Sequence, residues 1–345
     1  MAEIQTPNRP TKPMAESRNF MAEIVGEESL AGQRMQAGAI LDLMDVLAGR
    51  IAVQHAQGPV VTLSFDRVDL TYPILHQDLV RIEGQLAAVG SSSMMIHVQG
   101  YRMDSLSREF MPIQSSFITM VAVDGELRPN KNIAGIEVTT PEEAELNETA
   151  LKHKAMAQQW EKMQREPVED RVLRIQDVED PINREKMEFF SSSESQISLR
   201  RIFLPRNTNV LGTIFGGDIL LWMDRVATFC ARHFTRNKHM VTIAMNRIFF
   251  RQPIRTTDLV EIDARVVMVR NYTLEVETVV RLQRKDGEKV ESHSGYFTIL
   301  NYNEAGFKRP ITTGLKLDDA DQEGLQRYLQ ARQRREFWEK TKSEV

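Results

Sequence analysis

Asn209-Val210-Leu211-Gly212-Thr213-Ile214-Phe215-Gly216-Gly217 runs straight into Asp218-Ile219-Leu220-Leu221-Trp222-Met223-Asp224. A polar loop enters two glycines, and the glycines open a helix. From Ile219 the apolar residues fall at helical spacing: Ile219, Leu220, Met223, Val226, Ala227, Cys230 and Ala231. Asp224 lies on the edge of that face, where a carboxylate is costly to bury unless it is paired or hydrogen-bonded.

The stretch has an earlier counterpart, Ala37-Gly38-Ala39-Ile40-Leu41-Asp42-Leu43-Met44-Asp45. Gly38, Ile40, Leu41, Met44 and Asp45 match Gly217, Ile219, Leu220, Met223 and Asp224. The match continues downstream: Arg67-Val68 with Arg247-Ile248, Pro73-Ile74 with Pro253-Ile254, Asp78-Leu79-Val80 with Asp258-Leu259-Val260, and Phe117 with Phe297. The offset is 180 from Pro73 to Pro253 and 179 from Asp45 to Asp224, so one residue slips in a loop. A period this long marks a duplicated domain rather than a solenoid unit.

The chain has 345 residues, room for two ordinary domains. A net charge of −4 supplies no global field for nucleic acid or an anionic membrane. The single cysteine, Cys230, excludes an internal disulfide framework and sits on an apolar helix face as a core thiol. No apolar run is long enough to span a membrane. The first 18 residues mix Glu, Pro and Lys with no apolar core, unlike a signal peptide, so the expected location is cytoplasmic.

In each repeat the pattern predicts a strand, one long helix and four strands in meander order. In the first repeat these are a strand at 20–25, a helix from Gly38 stopped by Gly58-Pro59, alternation from Val61 to Val68, and strands at 78–89, 93–102 and 112–123. In the second they are a strand from Gln196, a helix from Gly217 and strands at 240–250, 258–270, 272–284 and 289–302. Between them Thr140-Pro141-Glu142-Glu143 starts a helix, with Thr as N-cap, Pro at the first position and Glu reaching back. Asp180-Pro181 suggests a short helix, and Ser191-Ser192-Ser193 resembles a hinge. Leu325, Tyr328, Leu329, Arg332 and Phe337 give the C-terminal tail helical spacing.

One helix wrapped by a curved antiparallel sheet, present twice, resembles the double hotdog fold, an α+β class. The motif Asn209-x-x-Gly212-x-x-Phe215-Gly216-Gly217 with Met223-Asp224 resembles the signature of hotdog acyl-CoA thioesterases. Gly38-x-Ile40-Leu41-x-x-x-Asp45 and Pro141-Glu142-Glu143-Ala144-Glu145 are similar to the tandem-hotdog branch that animals keep in mitochondria, and to its bacterial relatives. On that resemblance the chain divides into a tail (1–14), a first hotdog (15–127), a charged linker (128–195), a second hotdog (196–312) and a helical tail (313–345). The resemblance implies an acyl-CoA substrate and a homo-oligomer, a trimer of double-hotdog chains. No His pair has metal-ligand spacing, so neither a metal nor a cofactor is expected, and the charge gives no reason to expect a nucleic-acid partner.

The chemistry asks for a base to activate water, donors for the developing oxyanion, and glycines that let substrate approach the backbone. Asp45 and Asp224 are the candidate bases. Gly38, Gly216 and Gly217 are the candidate oxyanion residues, and by resemblance the acid of one hotdog works with the Asn209 loop of the other. Ser29 stands where Asn209 stands in the second repeat, and Ala37 replaces one glycine, so Asp45 with Asn209 is the complete pair and Asp224 faces a degenerate loop. Arg247, Arg251 and Arg255 are candidates for the CoA phosphates by charge alone. Plainer readings stand beside these: a hydrogen-bonded core carboxylate for either Asp, an Asx-turn for Asn209, a simple helix entry for the glycines. The alternative functions are a hotdog enoyl- or hydroxyacyl-CoA hydratase, which needs a His beside the acid, and a non-catalytic acyl-CoA-binding protein. The nearest His residues in sequence, His55 and His233, lie past the two acids and are not expected to reach the reacting carbon.

Overall fold

The computed structural model describes residues 9–26, 30–31, 34–103, 108–165 and 171–341. The first repeat consists of β1 (Asn19–Ile24), α1 (Ala37–Ala56), β2 (Val60–Phe65), β3 (Leu79–Val89), β4 (Ser93–Met103) and β5 (Phe110–Ala122). Helix α2 (Pro141–Arg165) follows. The second repeat consists of β6 (Ile197–Arg201), α3 (Gly216–Thr235), β7 (Met240–Met245), β8 (Leu259–Val269), β9 (Thr273–Gln283) and β10 (Lys289–Asn301), and α4 (Gln322–Thr341) closes the chain.

Both sheets are antiparallel and wrap their helix, but the order is not a plain meander. It is β1-β3-β4-β5-β2 in one sheet and β6-β8-β9-β10-β7 in the other. The strand after each helix pairs outside the last strand. Helix length explains this: 20 residues reach about 30 Å, enough to carry the chain across five strands spaced about 4.8 Å.

The two sheets exchange edges. The alternation at 240–250 is one run in sequence, but its pairing changes sheet at Asn246-Arg247. Beyond it, Ile248 and Phe249 pair with Phe65 and Ser64 of β2. Reciprocally, Val68 and Asp69 pair with Met245 and Ala244 of β7. The break is held by a matched pair of contacts. Arg67 donates to Asn246 Oδ1, and Arg247 Nε donates to Asp66 Oδ1 at 2.9 Å. Each sheet thereby covers one edge that would otherwise be an open pairing site.

The pairing also corrects one repeat assignment. Ile118 lies opposite Phe65, and Phe297 lies opposite Met245. Phe297 therefore occupies the place of Ile118, not of Phe117. Phe117 instead packs on the outer face with Ala87, Ala88, Met95 and Ala150 of α2.

The linker and tail cover outer faces. Helix α2 begins as read, with Thr140 Oγ1 accepting from Glu143 N, while Glu143 Oε2 accepts from Thr139 N at 2.8 Å. The serine stretch is pinned to the second sheet, where Ser195 Oγ accepts from Val266 N at 3.0 Å and donates to Ser192 O. Helix α4 buries Leu325, Tyr328, Leu329 and Ala331. Its Arg334 is buried too, paired with Glu275 at 2.5 Å and lying 3.5 Å over the Tyr296 ring.

At the centre α1 and α3 pack face to face, and glycines permit the approach. A Cβ on Gly38 would stand 2.6 Å from Leu221 Cα, and one on Gly217 would stand 2.7 Å from Asp42 Cα. Both obstacles are backbone, which cannot rotate away. Gly217→Ala should push the helices apart and destabilise the fold by roughly 1–3 kcal/mol, read as a lowered urea midpoint. An unchanged midpoint would show that the helices are not in this contact.

Candidate functional site

The helix crossing places each aspartate against the other repeat. Asp45 is 3% exposed and Asp224 is 1% exposed. Asp45 Oδ2 accepts from Gly217 N at 2.8 Å, and its Oδ1 accepts from Thr62 Oγ1 at 2.8 Å. Asp224 Oδ2 accepts from Gly38 N at 2.9 Å, and its Oδ1 accepts from Thr242 Oγ1 at 2.5 Å. The two arrangements are the same, related by the repeat. In each, a carboxylate of one helix meets the free N–H groups and positive dipole end of the other.

Burial pushes the Asp45 carboxyl up to about 6, against the Gly217 N–H and Thr62 hydroxyl that favour its charged form. Burial raises Asp224 as well, opposed by the Thr242 hydroxyl and Gly38 N–H.

Only Asp45 lines the large cavity described here, of about 690 Å³, which runs between the repeats. Its walls bring together Asp45, Thr62, Asn209, Gly216, Phe250 and Arg251. Asn209 is an Asx-turn residue and also faces this cavity. Its Oδ1 accepts from Leu211 N and Thr213 N, at 3.0 and 3.1 Å. The oxygen is thus committed to the loop, and the amide nitrogen remains a donor. Gly216 is tightly placed: a Cβ would stand 3.2 Å from Thr62 Oγ1 and 3.3 Å from Asp45 Oδ2.

Several expectations are corrected. The Gly217 N–H is occupied by Asp45, so it holds the carboxylate rather than facing substrate. The Gly38 N–H holds Asp224 in the same way. Arg247 lies outside the cavity: it is buried, paired with Asp66 at 2.5 Å, and lines a separate space beneath α2. Arg255 does not line the cavity either; its backbone forms a bridge with Thr213. Arg251 does line it, and so does Arg50. Ser29 lies outside the described residues. Cys230 is buried, donates to Ser195 O, and is pushed by burial up to about 12.

Two wall residues escaped the sequence reading. Thr62 was findable, because Thr242 repeats it at an offset of 180. His293 was not, because Gln114 holds its place in the first sheet: Gly100 pairs with Gln114, and Val280 with His293. His293 is buried in the cavity wall, its ring centroid 5.1 Å from that of Phe250. Ser292 Oγ donates to Gln252 O and lies 2.7 Å from His293 Nδ1. The serine has one proton, so Nδ1 carries the imidazole proton. Burial, with Arg251 nearby, pulls this His down to about 3, and Nε2 is a buried acceptor without a protein partner.

Two helices in a back-to-back crossing, each wrapped by its own sheet and sharing edges, define a tandem hotdog protein. A model of the thioesterase superfamily matches residues 35–107 and 211–290, one stretch in each repeat. The uncharacterized acyl-CoA thioester hydrolase YkhA of Bacillus subtilis is 30% identical over 141 residues, 41% of this chain and 78% of that protein. Mouse acyl-coenzyme A thioesterase 11 is 24% identical over 307 residues, 88% of this chain and 50% of that protein. The chain thus spans about half the length of this mouse relative. The 12:0-ACP thioesterase of Umbellularia californica shares the fold, at TM-score 0.50 and 8% identity, covering 85% of this chain and 94% of its own. The chain belongs to the thioesterase superfamily.

Among the described residues no helix is long and apolar enough to cross a membrane, and no cluster of His, Cys, Asp and Glu is arranged to hold a metal.

A base at this site works only when ionised, so kcat/KM should fall as pH drops through about 6. Thr62→Val removes a hydrogen bond to the charged form. It should therefore move that limb to higher pH and lower the rate at pH 6. A pH–rate profile of both proteins checks this; a limb that stays in place after the substitution would separate Thr62 from the base.

Proposed function

We propose that this chain hydrolyses acyl-CoA thioesters to the free acid and CoA by attack of an Asp45-activated water. The observation that carries the reading is the cavity wall itself. A buried carboxylate held by Thr62 and Gly217 stands beside a helix-opening Gly216, with the Asn209 amide nitrogen supplied by the same loop. Water held by Asp45 attacks the thioester carbon and gives Asp45 its proton. Asn209 Nδ2 is the donor proposed for the oxyanion, joined by the Gly216 N–H that also acts on Asp45, and the proton then goes to the departing CoA sulfur. Arg251 in the cavity lining is the cation assigned to the CoA end.

The reaction as drawn uses no metal or cofactor. Release of CoA from an acyl-CoA panel tests the reading, and activity lost with EDTA and restored with zinc would contradict the metal-free step. Asn209→Ala should lower kcat by about 10–10³ through loss of one positioned donor. A normal kcat in that variant would remove Asn209 from the site.

One observation favours a second reading. His293 brings an imidazole into the wall that holds Asp45, which a hydratase would need. Hydration of crotonyl-CoA without CoA release would establish it and displace hydrolysis.

Homo-oligomers of this double-hotdog chain, trimers in the simplest case, fit the apolar outer row of edge strand β1, where Phe20 is 59% and Ile24 65% exposed. Light scattering that gives a monomer at micromolar concentration would rule this out. The cytoplasm is the proposed compartment, on the lone free thiol of Cys230.

A further inference from the structure

Gly49 is an odd residue for its place. It lies one helical turn after Asp45 on α1, in a helix interior, where glycine is the least favoured residue after proline. Other central glycines answer to close contact, as Gly38 and Gly217 do. Gly49 does not: a Cβ built on it meets no heavy atom within 4 Å. The space beside it is the cavity. Val46 and Val53, each nearly half exposed, line the cavity with Gly49, as do Val60, Val61 and Met120, with Arg50 and Gln54 alongside on α1; Arg251 and Gln252 line the same cavity from the second repeat.

The second repeat provides an internal comparison. At the helix offset of 179, Val46, Gly49 and Val53 correspond to Arg225, Thr228 and Arg232. Thr228 is buried, and its Oγ1 lies 3.4 Å from the Thr242 hydroxyl that holds Asp224. Thr228 thus fills the space that Gly49 leaves open, and arginines replace the two valines. A hydrocarbon chain entering there would meet cationic and polar groups in place of apolar wall.

From this geometry we infer that Gly49 opens the acyl channel beside Asp45 and sets how long an acyl chain the site accepts. Its replacement by Thr228 closes the equivalent channel beside Asp224. The inference rests on the hydrolase reading above and names the substrate end of that same site. A side chain at 49 would project into the channel one turn from the base. Short acyl groups would end before it and longer ones would collide with it.

The test uses the full chain carrying Asp45→Asn, so that ligand binds without turnover. Calorimetry gives Kd for acetyl-CoA and dodecanoyl-CoA, with and without Gly49→Val. The ratio of dodecanoyl to acetyl Kd should rise by about tenfold or more. The melting temperature should not fall, because valine fits the open space and suits a helix better than glycine. An unchanged ratio, or an equal weakening of both ligands, would overturn the inference, the latter by placing Gly49 on the CoA side. A shifted ratio in a chain whose native form releases no CoA would sink hydrolysis alone. Failure of the parent to bind either acyl-CoA would overturn both.

Discussion

Two hydrogen bonds hold the molecule to its arrangement: Gly217 N to Asp45 and Gly38 N to Asp224, each crossing from one repeat to the other. A helix N-terminus leaves N–H groups without partners, and a buried carboxylate lacks water. Each half of the chain supplies one such deficit and relieves the other's. The glycines make this possible, because any Cβ at 38 or 217 would strike backbone of the facing helix. The edge exchange at Phe65–Ile248 and Met245–Val68 fixes the same relation from the sheet side.

The symmetric contact has an asymmetric surround. Around Asp45 lie glycine, valines and a cavity that Asn209 also lines. Around Asp224 lie Thr228 and the arginines at 225 and 232, and Arg225 Nε donates to Gln36 Oε1. Both aspartates keep their threonine and their N–H donor, as stability requires. Of the two, Asp45 lines the cavity between the repeats. Retention of both acids therefore reports the fold, and the difference between their neighbours reports the chemistry.

Much of this was legible in the chain. The repeat showed the duplication, and the Gly-to-Asp spacing put each acid about two turns into its helix; that each acid faces the other repeat came from the resemblance. Strand periodicity found the sheets but not their order, because alternation records which face a residue takes and not which neighbour it pairs with. For the same reason 240–250 read as one strand, although its pairing changes sheet at Asn246. Arg247 was misjudged on charge alone; its partner Asp66 is 181 residues away in sequence, and no local pattern joins them. The glycine N–H groups pointed to an oxyanion site, but the carboxylates across the interface hold two of them, those of Gly217 and Gly38. His293 breaks the repeat and could be matched with Gln114 only once the strand register was fixed; Gly49 aligns with Thr228 at the helix offset of 179, but the chain does not show the open space beside it.

The shared site is tested most directly by steady-state kinetics of Asp45→Asn and Asp224→Asn on one well-used acyl-CoA. Both variants keep the shape and the acceptor for the glycine N–H, and each removes one acid. If the Asp45 side of the interface is the working site, Asp45→Asn loses roughly 10²–10⁴ in kcat, while Asp224→Asn stays within about tenfold of the native chain and shows its effect chiefly in stability. An inactive Asp224→Asn beside a nearly normal Asp45→Asn would contradict the assignment and place catalysis beside Thr228.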